Sequence, residues 1–115
     1  MSAALISVAE NWIAAGRADR LNRRPIVTLR VGDLDLIVFH DGDRLHACER
    51  ACPHEQADLC LGHIAEGRLH CPRHLASFGL DDGRISPGWQ SRNLRCFPIR
   101  VIDGVVHINI GDTSD

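Results

Sequence analysis

The stretch Val27-Thr28-Leu29-Arg30-Val31-Gly32-Asp33 decides the fold class: three apolar side chains alternate with Thr28 and Arg30, and a glycine-acid pair then turns the chain. Period-two alternation puts Val27, Leu29 and Val31 on one buried strand face, and glycine accepts the positive φ of a tight antiparallel turn. The same punctuation recurs at Asp41-Gly42, Glu66-Gly67, Asp82-Gly83 and Asp103-Gly104. Near the far end Val106, Ile108 and Ile110 alternate with His107 and Asn109. The pattern predicts an all-β chain, a small antiparallel β-sandwich or partly open barrel. One short helix is expected over about residues 8–15, where Ser7-Val8-Ala9-Glu10 matches a capping box and Gly16 supplies a stop after Ala14-Ala15. Gly111 to Asp115 reads as a frayed tail.

Composition narrows the classes. The 115 residues suit one domain, 1–115, able to bury a core without disulfides. Thirteen basic residues, all arginine and scattered, against fifteen acidic ones give a net charge of -2, so neither nucleic acid nor a membrane surface is an expected partner. No apolar run approaches membrane-spanning length, and the start Met-Ser-Ala-Ala-Leu-Ile-Ser lacks a basic signal region; a cytoplasmic location is expected. Five cysteines, an odd number, argue against a disulfide framework and for metal ligation by some of them.

The chemistry is concentrated in Cys52-Pro53-His54 and, after sixteen intervening residues, Cys71-Pro72-Arg73-His74. Each segment supplies one thiolate and one imidazole, and each cysteine precedes a proline that stiffens the turn. A single tetrahedral zinc accepts such a set, but zinc modules normally space paired ligands more widely. The one-residue gap between Cys52 and His54 suits two metals, if the cysteines bind one iron of a sulfide-bridged pair and the histidines the other.

On these residues the chain resembles the Rieske family of 2Fe-2S proteins, whose pattern is C-x-H followed by C-x-x-H. Ala57, Leu59, Gly62, Gly67, Leu69, Phe78, Gly83 and Cys96-Phe97-Pro98-Ile99-Arg100-Val101 extend the likeness to small Rieske ferredoxins over roughly residues 25–110. The resemblance implies one Rieske-type 2Fe-2S cluster held by Cys52, His54, Cys71 and His74, on a cluster-binding subdomain of about residues 48–90. It also implies low potential. High-potential relatives carry a disulfide between the ligand loops and a serine and a tyrosine that donate to the sulfurs; Arg73, Ala76 and Phe78 occupy those positions here. Leu75 stands where many relatives have glycine.

The implied function is a soluble electron carrier between a flavin-dependent NAD(P)H reductase, a flavoprotein, and a terminal Rieske oxygenase. The chain would be an electron-transfer component and not an enzyme alone, since it offers no Gly-rich nucleotide fingerprint and no length for a mononuclear iron domain. Other readings are a small Rieske-like subunit of a larger reductase such as assimilatory nitrite reductase, a zinc-stabilised interaction module, and an iron-sulfur sensor. Pro87 is expected to shield the cluster, and Pro53, Pro72, Leu75 and Trp89 are candidates for an apolar docking rim. His40, His46, His63, His70 and His107 are read as solvent-facing, and Cys48, Cys60 and Cys96 as small buried apolar residues.

Overall fold

A computed structural model describes residues 12–53, 56–73, 76–89 and 91–111. Within them run β1 (Trp12–Arg17), β2 (Ile26–Val31), β3 (Leu34–Asp41), β4 (Arg44–Glu49), β5 (His63–Ala65), β6 (Arg68–His70), β7 (Ser77–Gly79), β8 (Cys96–Phe97), β9 (Ile99–Ile102) and β10 (Val105–Asn109). Antiparallel pairing sorts them into three sheets, ordered β1-β10-β9, β2-β3-β4-β8 and β5-β6-β7. The all-β expectation holds, as open sheets and not a closed barrel.

The layering follows from β3. Its residues Leu36, Ile37, Val38 and Phe39 are all essentially buried, although neighbours on a strand face opposite sides. Both faces of this sheet are therefore covered. Leu36 and Val38 join Val27, Leu29, Val31, Ala47, Val106 and Ile108 in one core, against β1, β9 and β10. Ile37 and Phe39 join Ile26, Cys48, Cys52, Ala57, Leu59, Leu69, Cys71, Phe78, Leu80 and Leu94 in the other. Burying each large side chain stabilises the fold by roughly 1.5–3 kcal/mol, so the central strand anchors both layers.

Four of the five expected glycine turns join adjacent strands. Glu66-Gly67 and Asp103-Gly104 have positive φ at both central positions, 56° and 72°, then 54° and 77°, the type I′ pattern whose twist matches a hairpin. Asp82-Gly83 differs. It lies beyond β7 on the long return to β8, where Gly83 donates to the Gly79 carbonyl and accepts from the Leu94 N–H, each at 2.8 Å. A methyl on Gly83 would collide with the Leu94 carbonyl oxygen, so this glycine serves a close backbone approach instead of a hairpin.

The short helix expected over residues 8–15 is not present where that segment is described. Residues 8–11 lie outside the described residues, and Trp12–Arg17 is strand β1, paired with β10 from Trp12↔Asn109 to Arg17↔Val105. A segment this short cannot sustain a helix by propensity, whereas β10 offers it a ladder. The register shifts between Ala14 and Gly16, a bulge at the presumed helix stop. Helical turns among the described residues are the 3-10 turns Ala18–Asn22 and Leu59–Leu61. Of the tail, only Gly111 is described.

His46, read as solvent-facing, is 8% exposed and stacks on Phe39 with ring centroids 5.5 Å apart. Burial, and next the Arg44 charge, hold its pKa below the ordinary 6.5. The unfolded chain then takes up this proton at higher pH than the folded one, so the stability due to a neutral His46 is lost as pH falls below about 6.5. Denaturant midpoints measured from pH 7 to pH 5 should fall, and His46→Gln should flatten that slope while lowering the midpoint at pH 7.

Candidate metal centre

Two loops that bring their cysteines into one core cluster are built alike. In the first, the Cys52 N–H donates to the Ala57 carbonyl at 2.8 Å, and Ala51 and Asp58 form an antiparallel bridge just outside it. In the second, the Cys71 N–H donates to the Ala76 carbonyl at 3.0 Å, and His70 pairs with Ser77 just outside. Each loop therefore spans from a cysteine to an alanine five positions on, followed by a polar residue and a large buried one, Leu59 or Phe78. The repeated order Cys-Pro, three residues, Ala, polar, apolar is visible in the sequence once the loops are superposed.

Both thiols point into one core. Cys52 is 0% and Cys71 5% exposed, and they share their cluster with Leu59, Leu69, Phe78 and Leu94. The prolines that follow sit nearer solvent: Pro53 is half-buried and Pro72 exposed. His54 and His74 lie outside the described residues, as does Leu75 of the candidate docking rim. Pro87 is exposed and Trp89 half-buried. Among the described residues no three His, Cys, Asp or Glu side chains gather as a metal site. The donor chemistry nevertheless fits an iron-sulfur group, because two soft sulfurs come from two matched loops into one apolar cluster, with a histidine following in the sequence of each loop.

Arginine forks pin the ends of these loops, a role with no local signal along the chain. Arg50 grips Asp58 with Nε to Oδ1 at 2.9 Å and Nη2 to Oδ2 at 2.8 Å, while Oδ1 also accepts from the Cys60 N–H at 3.0 Å. The Arg50 guanidinium holds the Asp58 carboxyl below the usual carboxylate range. Arg68 donates Nε to the Ser77 hydroxyl at 2.7 Å and Nη2 to the carbonyls of Ser77 and Arg84 at 3.0 and 2.8 Å. Arg92 clamps Glu49 through two 2.7 Å bonds, and Glu49 also accepts from the Arg95 N–H at 2.6 Å. The planar fork presents two parallel N–H groups at fixed spacing, a geometry that the point-like ammonium of a lysine does not match.

The remaining thiols and imidazoles lie elsewhere. His63 and His70 stack across β5 and β6 with centroids 4.7 Å apart, His40 is exposed and His107 half-buried. Cys48 is buried and Cys60 half-buried, but Cys96 is exposed on the edge strand β8, contrary to the buried role expected for it. A two-residue edge strand has a neighbour on one side only, so its side chains keep solvent contact.

Comparison with known proteins gives a consistent result. The chain matches the family model described as Rieske [2Fe-2S] domain over residues 11–98. It is 29% identical to the anthranilate 1,2-dioxygenase ferredoxin subunit of Burkholderia cepacia over 100 residues, 87% of this chain and 93% of that one. The fold matches the Sphingomonas yanoikuyae B1 ferredoxin with a TM-score of 0.75 at 20% identity, covering 86% of this chain and 98% of that one. A chain in the complex of reduced oxygenase and oxidized ferredoxin in carbazole 1,9a-dioxygenase matches with a TM-score of 0.74 at 26% identity, over 90% of this chain and 97% of that one.

Because Asp58 ties together Arg50, the first loop and the turn after it, Asp58→Asn should cost about 1 kcal/mol, a value discounted for the pair's partial exposure. That corresponds to a thermal midpoint lower by roughly 4–8 °C. With its pKa depressed, Asp58 stabilises the fold above the ordinary carboxylate pKa of 3.8 and stops doing so as pH falls through its folded value, so the variant's deficit should shrink in strong acid.

Proposed function

Because the chain belongs to the Rieske [2Fe-2S] domain family, we propose that it is a one-electron carrier of an oxygenase system, with its 2Fe-2S cluster held by Cys52, His54, Cys71 and His74. The observation that carries the site assignment is the pair of matched loops delivering Cys52 and Cys71 into one apolar core cluster. The cluster-binding subdomain comprises about residues 48–90, with β5, β6 and β7 bracing the second loop.

The Rieske cluster supplies a site that changes charge by one electron. The chain's own contribution is to hold two thiolates out of water and to keep the two loops at a fixed separation. Buried sulfur at the loop bases directs exchange with partners to the outer ends of the loops, where Pro72 is exposed. The likeness to a ferredoxin subunit of a dioxygenase, and to a chain in an oxygenase-ferredoxin complex, supports a terminal oxygenase as the acceptor. A flavin-dependent NAD(P)H reductase is the matching donor, and the chain is not catalytic alone. Among the described residues no helix is long and apolar enough to cross a membrane.

The side chains beside the second loop set the potential low. Ala76 and Phe78 are both 0% exposed and carry no hydroxyl, so neither donates a proton to a cluster or ligand sulfur. Donors there would favour the more negative reduced state.

Metal and sulfide analysis of the purified protein should give about two iron and two labile sulfide per chain with a Rieske visible spectrum. Cys71→Ala and His54→Ala should each abolish it; colourless protein carrying one zinc per chain, or a variant keeping the native spectrum, would refute the assignment. Ala76→Ser should raise the potential by on the order of 40 mV, the one-electron equivalent of a hydrogen bond worth about 1 kcal/mol, as read by redox titration.

A further inference from the structure

We propose that Cys48 and Cys96 are a modification site, forming a reversible disulfide by exchange with a small-molecule disulfide such as oxidised glutathione. The two residues are direct partners across β4 and β8, with Sγ atoms 3.5 Å apart. The Glu49 N–H donates to the Arg95 carbonyl at 3.0 Å, which makes 49 and 95 a hydrogen-bonded pair. The next pair along an antiparallel ladder, Cys48 and Cys96, is then non-hydrogen-bonded, the position where opposing side chains lie closest. The Cα spacing typical of such a pair, about 4.5 Å, lies within the range a disulfide spans, so bringing the sulfurs from 3.5 Å to bonding distance asks mainly for side-chain rotation.

The two sulfurs are unequal in a way that gives the exchange a direction. Cys48 is 1% exposed and belongs to the core, whereas Cys96 is exposed on an edge strand. Cys96 also lines a 410 Å³ groove with Arg44, Leu80, Asp81, Phe97 and Pro98, so a small molecule has space beside this residue. The Arg95 guanidinium lies over the Phe97 ring at 5.5 Å, a cation near the groove for the carboxylates of glutathione. The hydrogen bond from the Cys48 thiol lowers the Cys96 pKa, and the same bond, with burial, raises that of Cys48. An accessible thiolate next to a buried resolving thiol is the arrangement that exchange requires.

The Cys96 thiolate attacks one sulfur of oxidised glutathione, breaking its S–S bond, and one glutathione thiolate leaves. The Cys48 sulfur then attacks Cys96 Sγ, and its proton passes to the second glutathione as that leaves as a thiol. Two protein thiols are oxidised and one glutathione disulfide is reduced to two thiols. The new bond closes a loop that contains both cysteine loops of the metal centre and ties β8 to the strand leading into Cys52.

The test treats the iron-loaded protein with excess oxidised glutathione without air, followed by acid quench, alkylation and peptide mapping. The expected result is a Cys48–Cys96 linked peptide, a chain lighter by two hydrogens, an unchanged visible spectrum and full reversal by dithiothreitol. Cys96→Ser, a change at an exposed position, should leave Cys48 unmodified, and Cys48→Ser should stop with one glutathione on Cys96. Wild-type protein that stays reduced, stops at the adduct, or links Cys96 to Cys52 or Cys71 would overturn the proposal. The readout is mass, so it stands apart from the electron-carrier reading.

Discussion

Burial of β3 on both faces is the constraint from which the rest of the architecture follows. Leu36-Ile37-Val38-Phe39 has no polar side chain to turn toward water, so one layer must cover Leu36 and Val38 and another must cover Ile37 and Phe39. The first is the β1-β10-β9 sheet. The second is the segment between β4 and β8, too irregular to form a broad sheet, which covers Ile37 and Phe39 with Leu59, Leu69, Phe78 and the two loop cysteines. Cys52 and Cys71, the two thiols of the proposed site, are thus part of the layer that completes the fold, and they share its contacts.

That sharing explains where the arginines go. Loops with little regular pairing need their ends held by side chains, and a buried layer cannot leave backbone carbonyls without donors. Arg68 serves the Ser77 and Arg84 carbonyls, Arg50 the carboxylate at the foot of the first loop, and Arg92 the Glu49 carboxylate where the segment rejoins the central sheet. Only part of each pair is buried, so their value lies less in net stability than in fixing where the loops begin and end. Rigid loop bases suit electron transfer, in which a site should change charge without changing shape.

The thiol chemistry divides along the same boundary. Cys52 and Cys71 are buried in matched loops, while Cys48 and Cys96 face each other across the edge of the central sheet. Spacing along the chain separates the first pair by its prolines and following histidines. Nothing local distinguishes the second pair, because residues 48 and 96 meet only through the β4 and β8 register.

Period-two alternation and glycine turns carried the all-β architecture and most of its hairpins in the sequence, because strand side chains alternate whatever lies around them. The Rieske family signature was equally legible, since it is carried by residues two or three apart. Three features were not. Trp12–Arg17 became a strand because β10 lay beside it, His46 was buried by Phe39, and Gly83 was required by the distant Leu94 carbonyl. Local order in the chain determined the strand pattern and the family signature. Tertiary packing alone decided which strand is covered on both faces, which arginine meets which carboxylate, and which thiols become neighbours, for each depends on residues brought together from far apart in the chain.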